Sequence, residues 1–160
     1  LPISEQNFLL SNASLETIND IVALLELRIS LESEAVFLAS ERRSDIHIAK
    51  MKAALEDFES HISSTANDGT VKADYDFHIA IAEASSNQYF VDFLKYLGEK
   101  IIPRARLNSI EKSPENREDY LKSVHHDHVN IYNAIVDQDG LLARQMMRAH
   151  LSKSIKKFKQ

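Results

Sequence analysis

Apolar residues recur at steps of three and four along nearly the whole chain, which is the spacing of amphipathic helices, and the strict alternation that marks strands is scarce. The first long helix is predicted from a cap at Ser14 to about Arg42, with Ile21, Leu25, Arg28, Glu32, Ala35 and Ala39 on one seam. Ser44 can cap a second helix carrying Ile46, Ala49, Leu55, Phe58 and Ile62, until Asn67-Asp68-Gly69 breaks it. A third is predicted from Val71 to about Ser86, a fourth from Gln88 to Ser109 with Pro103 kinking or ending it, and a fifth from Ser113-Pro114 to about Asp137. After Asp139-Gly140 the last helix carries Ala143, Met147, His150 and Ser154 on one seam. The pattern predicts an all-α bundle.

Polar residues interrupt several of these seams. Asp74 and His78 lie four apart on the stripe formed with Val71, Ile81 and Ser85, so both point to one side of the third helix, whereas Asp76 falls off that face and is expected in solvent. His128 takes a core position among Leu121, Val124, Ile131 and Ile135, and His150 does so beside Met147. His125 and His126 are less central, and His47 and His61 fall outside the stripes. A single histidine on an apolar face is usually a satisfied core residue. Three of them with an inward carboxylate, on helices that can converge, point to a metal site, because unpartnered buried polar groups cost roughly 2–7 kcal/mol each. The expected ligands are Asp74, His78, His128 and His150. Imidazoles and a carboxylate suit a divalent transition metal: zinc first, with nickel, cobalt or manganese also fitting. Four protein ligands leave positions open on a six-coordinate ion for water or for the oxygens of a small acid.

Arg28 and Glu32, again four apart, read either as a self-satisfied internal ion pair or as a guanidinium fork for a carboxylate ligand, oriented by Glu32. Asn87 can cap the fourth helix or line a pocket at its end, and Arg104, beyond Pro103, is a further candidate pocket residue. Arg28, Glu32, Asn87 and Arg104 are thus the candidate contacts for a small acidic ligand, beside their purely structural readings.

Composition narrows the choice of function. The 160 residues suffice for one real core, there is no cysteine for a disulfide or a thiolate site, and the net charge of −5 argues against nucleic-acid binding by this chain alone. Lys153, Lys156, Lys157 and Lys159 are read as complementing the end of the last helix dipole. No apolar run approaches the roughly 20 residues a membrane span needs, and a cytoplasmic protein is expected.

Asp74-x-x-Phe77-His78, then His128-x-x-Ile131-x-x-Ala134-Ile135, then Asp139 and Ala143, then His150-Leu151 together resemble the effector-binding FCD domain of GntR-family transcription regulators, the FadR C-terminal type. Glu26-x-Arg28-x-x-x-Glu32 and Ala84-Ser85-Ser86-Asn87 are similar to the same pattern, and the resemblance spans Leu15 to Leu151. It implies an all-α, antiparallel bundle of six or seven helices with a central metal or ligand cavity, usually a homodimer, that binds a small organic acid and modulates DNA binding by an attached winged helix-turn-helix. In metal-binding members the ligands match Asp74, His78, His128 and His150, and Arg28 would anchor the acid. No winged helix-turn-helix lies in these residues, so residues 1–13 are expected to be a linker or short helix following a missing N-terminal region, and 14–160 the effector-binding and dimerisation domain. A metal-dependent enzyme acting on a small carboxylate is the alternative reading, weakened by the lack of His-Glu-x-x-His and by the engagement of Glu32 with Arg28. A purely structural metal is a third.

Overall fold

A computed structural model of the protein describes residues 18–64, 66, 68–107 and 114–159. Among them are six helices and no strand: α1 (Ile18–Arg42), α2 (Asp45–Ser60), α3 (Asp68–Ala84), α4 (Gln88–Leu107), α5 (Pro114–Val136) and α6 (Gly140–Lys159). The expected cap at Ser14 and the linker at 1–13 lie outside the described residues. Helix α2 packs on α3, α3 on α4 and α5 on α6, and the result is an all-helical bundle. Among the described residues no helix is long and apolar enough to cross a membrane.

The helix ends are fixed by identifiable chemistry. Ser44 caps α2, its Oγ accepting from the His47 amide at 3.4 Å while His47 Nδ1 accepts from the Ser44 amide at 3.2 Å. This is a capping box with histidine in the place usually held by Glu or Gln, and it gives His47 a structural occupation. The second helix was expected to run on toward Asn67, but α2 stops at Ser60. Beyond it the Arg117 guanidinium collects the carbonyls of Ile62, Ser64 and Ala66 at 2.6–3.2 Å, which satisfies backbone groups that a continued helix would otherwise pair. The third helix starts at Asp68, earlier than the expected Val71. Gly69, read as a breaker, is helical, and a Cβ there would meet the His61 ring at 2.2 Å, so the residue serves close approach rather than a turn.

At the end of α5, Gln138 adopts a left-handed φ of 57° while Asp139 N donates to Ala134 O at 2.9 Å and Gln138 N to Ile135 O at 3.0 Å, a Schellman ending. The Asp139 carboxylate then caps α6 by accepting from the Leu142 amide at 3.1 Å. Helix α4 runs through Pro103 to Leu107, so the proline does not terminate it.

Helix α1 packs most extensively on α6 and α2 on α3, and α1 also touches α3, α4 and α5, so it runs through the middle of the bundle. The main core joins Leu25, Val36 and Ala39 of α1 to Met51, Phe77, Ile131, Ile135 and Met147. Phe58, Ile62, Ala73, Leu121 and Val124 form a second cluster. Two adjacent arginines at the α1–α2 connection tie other helices down: Arg42 donates to Ser85 O at 2.8 Å just past α3, and Arg43 donates to Ile135 O and Val136 O at 3.0 and 2.6 Å at the end of α5.

Candidate metal centre

The inward faces of α3, α5 and α6 meet where the polar residues interrupt their stripes. One ligand atom from each of Asp74, His78, His128 and His150 lies within 4.8 Å of the others. Asp74, His78 and His128 are buried, and His150 is half-buried at the edge. Asp74 Oδ1 stands 3.1 Å from His128 Nε2 and 3.5 Å from His78 Nε2. Yet neither of those imidazole nitrogens has a hydrogen-bond partner in good alignment. Edge-on ring packing of His128 against His78 and His150, with centroids 5.4 and 4.9 Å apart, turns the three rings toward one point instead of into mutual pairs.

The other nitrogens of two of these rings are fixed from outside. His78 Nδ1 bonds to Glu32 Oε1, and Glu32 Oε2 receives the Arg28 Nε–H, so one buried carboxylate joins α1 to α3. His150 Nδ1 lies 3.0 Å from Asp127 Oδ2, and Lys153 Nζ donates to both oxygens of Asp127 at 2.9 and 3.0 Å. A carboxylate on the Nδ1 side sets the tautomer that leaves Nε2 free to bind a cation, which is the usual second support of metal-bound histidines. Buried orphan nitrogens, a carboxylate among them and outer carboxylates behind them fit a divalent transition metal bound by three nitrogens and an oxygen.

The electrostatics follow from this arrangement. Burial alone would raise the Glu32 carboxyl, but Arg28 and His78 outweigh it and hold it at about 2. Burial opposes charge on His78, yet Glu32 and Asp74 raise it to about 9. For His128 burial wins over the pull of Asp74, with His150 and His78 adding repulsion, and the ring is lowered to about 3. His150 is likewise lowered, chiefly by burial and against the pull of Asp127. Asp127, which burial would raise, is held at about 2 by His150 and Lys153.

These shifts act in opposite directions on the metal-free domain. His128 stays neutral in the fold while the unfolded chain takes up a proton near 6.5, so its contribution is complete above pH 6.5 and is lost as the pH falls toward 3. His78 stays charged in the fold, so its contribution is complete below pH 6.5 and is lost as the pH rises toward 9. The chelated domain is therefore expected to melt highest near pH 6.5 and lower on both sides. Thermal melts across that range check this, and a melting temperature still climbing toward pH 9 would contradict the charged His78.

The expected effector contacts are distributed unequally. Arg28 and Glu32 are buried and line a cavity of about 10 Å³ closed by Leu31, Ala35, Ala82, Phe90, Phe93, Leu94 and Leu97. That is room for a single water, so an acid reaching Arg28 requires this wall to open. Asn87 is half-buried and its Oδ1 caps α4 by accepting from the Tyr89 amide at 3.0 Å. Arg104 lies on the part of α4 whose side chains are outside the described residues. On the far side of His150 a cleft of about 300 Å³ is lined by Tyr120, Ser123, Asp127 and Lys153 among others.

Sequence reasoning did not find Asp127, nor the contact of Glu32 with His78, and it assigned Lys153 to the helix dipole alone. Asp127 and His150 are 23 residues apart on different helices, a relation that no periodicity within one helix reveals.

Comparison with known proteins agrees with this architecture. Residues 23–153 match the FCD domain family. The chain is 30% identical over 152 residues to the HTH-type transcriptional regulator LutR of Bacillus subtilis, covering 89% of this chain and 64% of the relative. It is 30% identical over 131 residues to the Uxu operon transcriptional regulator of Escherichia coli, covering 80% and 49%. The chain thus spans less than two thirds of the length of either relative. Among solved structures, E. coli McbR/YncC superposes with a TM-score of 0.76 at 17% identity, covering 89% of this chain and 65% of that one. Streptococcus agalactiae GntR gives 0.67 at 18%, covering 95% and 63%. The structural likenesses speak for the fold, and the sequence matches for descent: the chain belongs to the FCD domain family, the helical domain of GntR-family transcription regulators.

Proposed function

We propose that this domain senses a small organic acid at a divalent metal held by Asp74, His78, His128 and His150, zinc fitting best and nickel, cobalt or manganese also suiting the donor set. The observation that carries the reading is the convergence of Asp74 with buried imidazole nitrogens that have no hydrogen-bond partner, backed by carboxylates on the opposite ring edges. When bound, the ion would offer open positions to the oxygens of a carboxylate or hydroxy acid. Arg28 would receive the acid's other end, with Glu32 orienting the guanidinium and Asn87 and Arg104 toward the ends of α3 and α4 as further contacts. The acid would shift the balance between two packings of the bundle by its differential affinity for them. In the whole regulator that balance would reach DNA through an N-terminal winged helix-turn-helix, with two copies of this domain forming the dimer in the cytoplasm.

A metal-dependent enzyme is disfavoured because the relatives are transcription regulators and both carboxylates behind the histidines are committed to cationic partners, leaving no poised base. A thermal-shift screen of small organic acids, run with zinc-loaded and chelated protein, tests the reading. Stabilisation by particular acids only in the loaded protein is expected. Acids that bind equally well after chelation would remove the metal from the sensing site.

A further inference from the structure

Glu32 occupies a position that neither a metal site nor an anion site alone would require. One oxygen of this buried carboxylate is bonded to His78 Nδ1 and the other to Arg28 Nε. Both partners are themselves buried, so neither can turn to water when Glu32 moves. His78 and Arg28 therefore divide the charge of one carboxylate between its two oxygens, so that what strengthens one bond weakens the other. The opposite edge of the His78 ring, Nε2, faces Asp74 and His128 and has no hydrogen-bond partner. Whatever sits there sets how strongly Nδ1–H donates to Glu32.

We propose that Glu32 is a positioning residue shared between a cation held at His78 and an anion held at Arg28, so that occupation of either place strengthens the other. This rests on the metal-site reading above and adds the element that links its two halves. A divalent ion on Nε2 places positive charge on the edge of the ring opposite Glu32. It makes Nδ1–H the stronger donor, draws Glu32 toward His78 and loosens its hold on the guanidinium. Arg28 is then released to pair with an incoming anion. In the other direction, an anion that occupies Arg28 returns Glu32 to His78, which becomes the more basic ligand. Linkage requires the two effects to be equal in free energy.

The sign of the effect separates this role from simple support of the fold. Removing a ligand or its support weakens metal binding, whereas removing Arg28, which draws on the charge of Glu32, is expected to strengthen it. Zinc affinity should be measured by competition with a chromophoric chelator on the wild-type chain and on Glu32→Gln, Arg28→Gln and the double variant. Glu32→Gln is expected to weaken zinc binding about 10–100-fold. Arg28→Gln is expected to tighten it roughly 5-fold or more, and to have no effect in the Glu32→Gln background. Should Arg28→Gln fail to fold, the wild-type chain supplies the same information. The Arg28 Nε–H resonance is expected to move upfield as zinc is added, and to stay fixed in Glu32→Gln. Arg28→Gln weakening zinc binding, or an Arg28 resonance indifferent to zinc, overturns the coupling while leaving the metal site intact. Failure of the wild-type chain to take up zinc, nickel, cobalt or manganese overturns both.

Discussion

A chain carrying His128→Leu is expected to lose zinc uptake and yet to melt at a higher temperature than the wild type when both are metal-free. His128 is fully buried between Phe58 and Phe77, with ring centroids 5.4 and 4.7 Å away, and neither of its nitrogens has a hydrogen-bond partner. A buried polar group left unsatisfied costs about 1–3 kcal/mol, and leucine fills similar space without that cost. The same substitution removes one of four ligands, and the loss of affinity should exceed the 10–100-fold typical of losing an outer partner. Asp127→Asn, at a residue that reaches the site through the far edge of His150 and also pairs with Lys153, supplies that milder comparison. Metal analysis of the purified proteins, with melts in chelator, checks both halves. A less stable metal-free His128→Leu protein would mean that the imidazole belongs to the core for packing and not for a ligand.

The second large effect concerns the ionic chain that crosses from α1 to α3. Glu32→Leu leaves the Arg28 guanidinium buried without its carboxylate, and breaking a buried pair from one side costs about 3–5 kcal/mol. Replacing both members, in Arg28→Leu with Glu32→Leu, removes the stranded guanidinium and should recover part of that loss, the remainder being the cost of leaving the buried His78 Nδ1 without its carboxylate. Urea denaturation of the single and double variants in chelator gives the cycle. Equal destabilisation in the double variant would show that the stranded Arg28 guanidinium is not the source of the loss and that the Glu32–His78 bond carries it.

Much of the bundle was legible because its helices bury one stripe each. Leu25, Arg28, Glu32, Ala35 and Ala39 are all buried on α1, as the step of three and four predicts, and the same count put Asp74, His78 and His128 on inward faces. What could not be read lies between helices. Glu32 and His78 are 46 residues apart, and whether a seam carboxylate turns to its own helix or to the next depends on packing angles that periodicity does not encode. Helix ends were misread for related reasons. Gly69 looks like a breaker until the His61 ring that needs its missing Cβ is in place, and the end of α2 depends on Arg117, which arrives from α5. Asn87 was legible as a cap because the hydrogen bond it makes is local.

The paired arginines at the α1–α2 connection bear on the geometry of any response. Arg42 and Arg43 pin the backbone just past α3 and at the end of α5, the helices that carry Asp74, His78 and His128, to the same corner of the molecule. That corner acts as a fulcrum. Sliding α3 or α5 past α1 would have to break these bonds, whereas a tilt about them would not. At about 1.5 Å of rise per residue, the Ile18 end of α1 stands some tens of ångströms from Arg42, so a tilt of small angle about this corner would displace that end most.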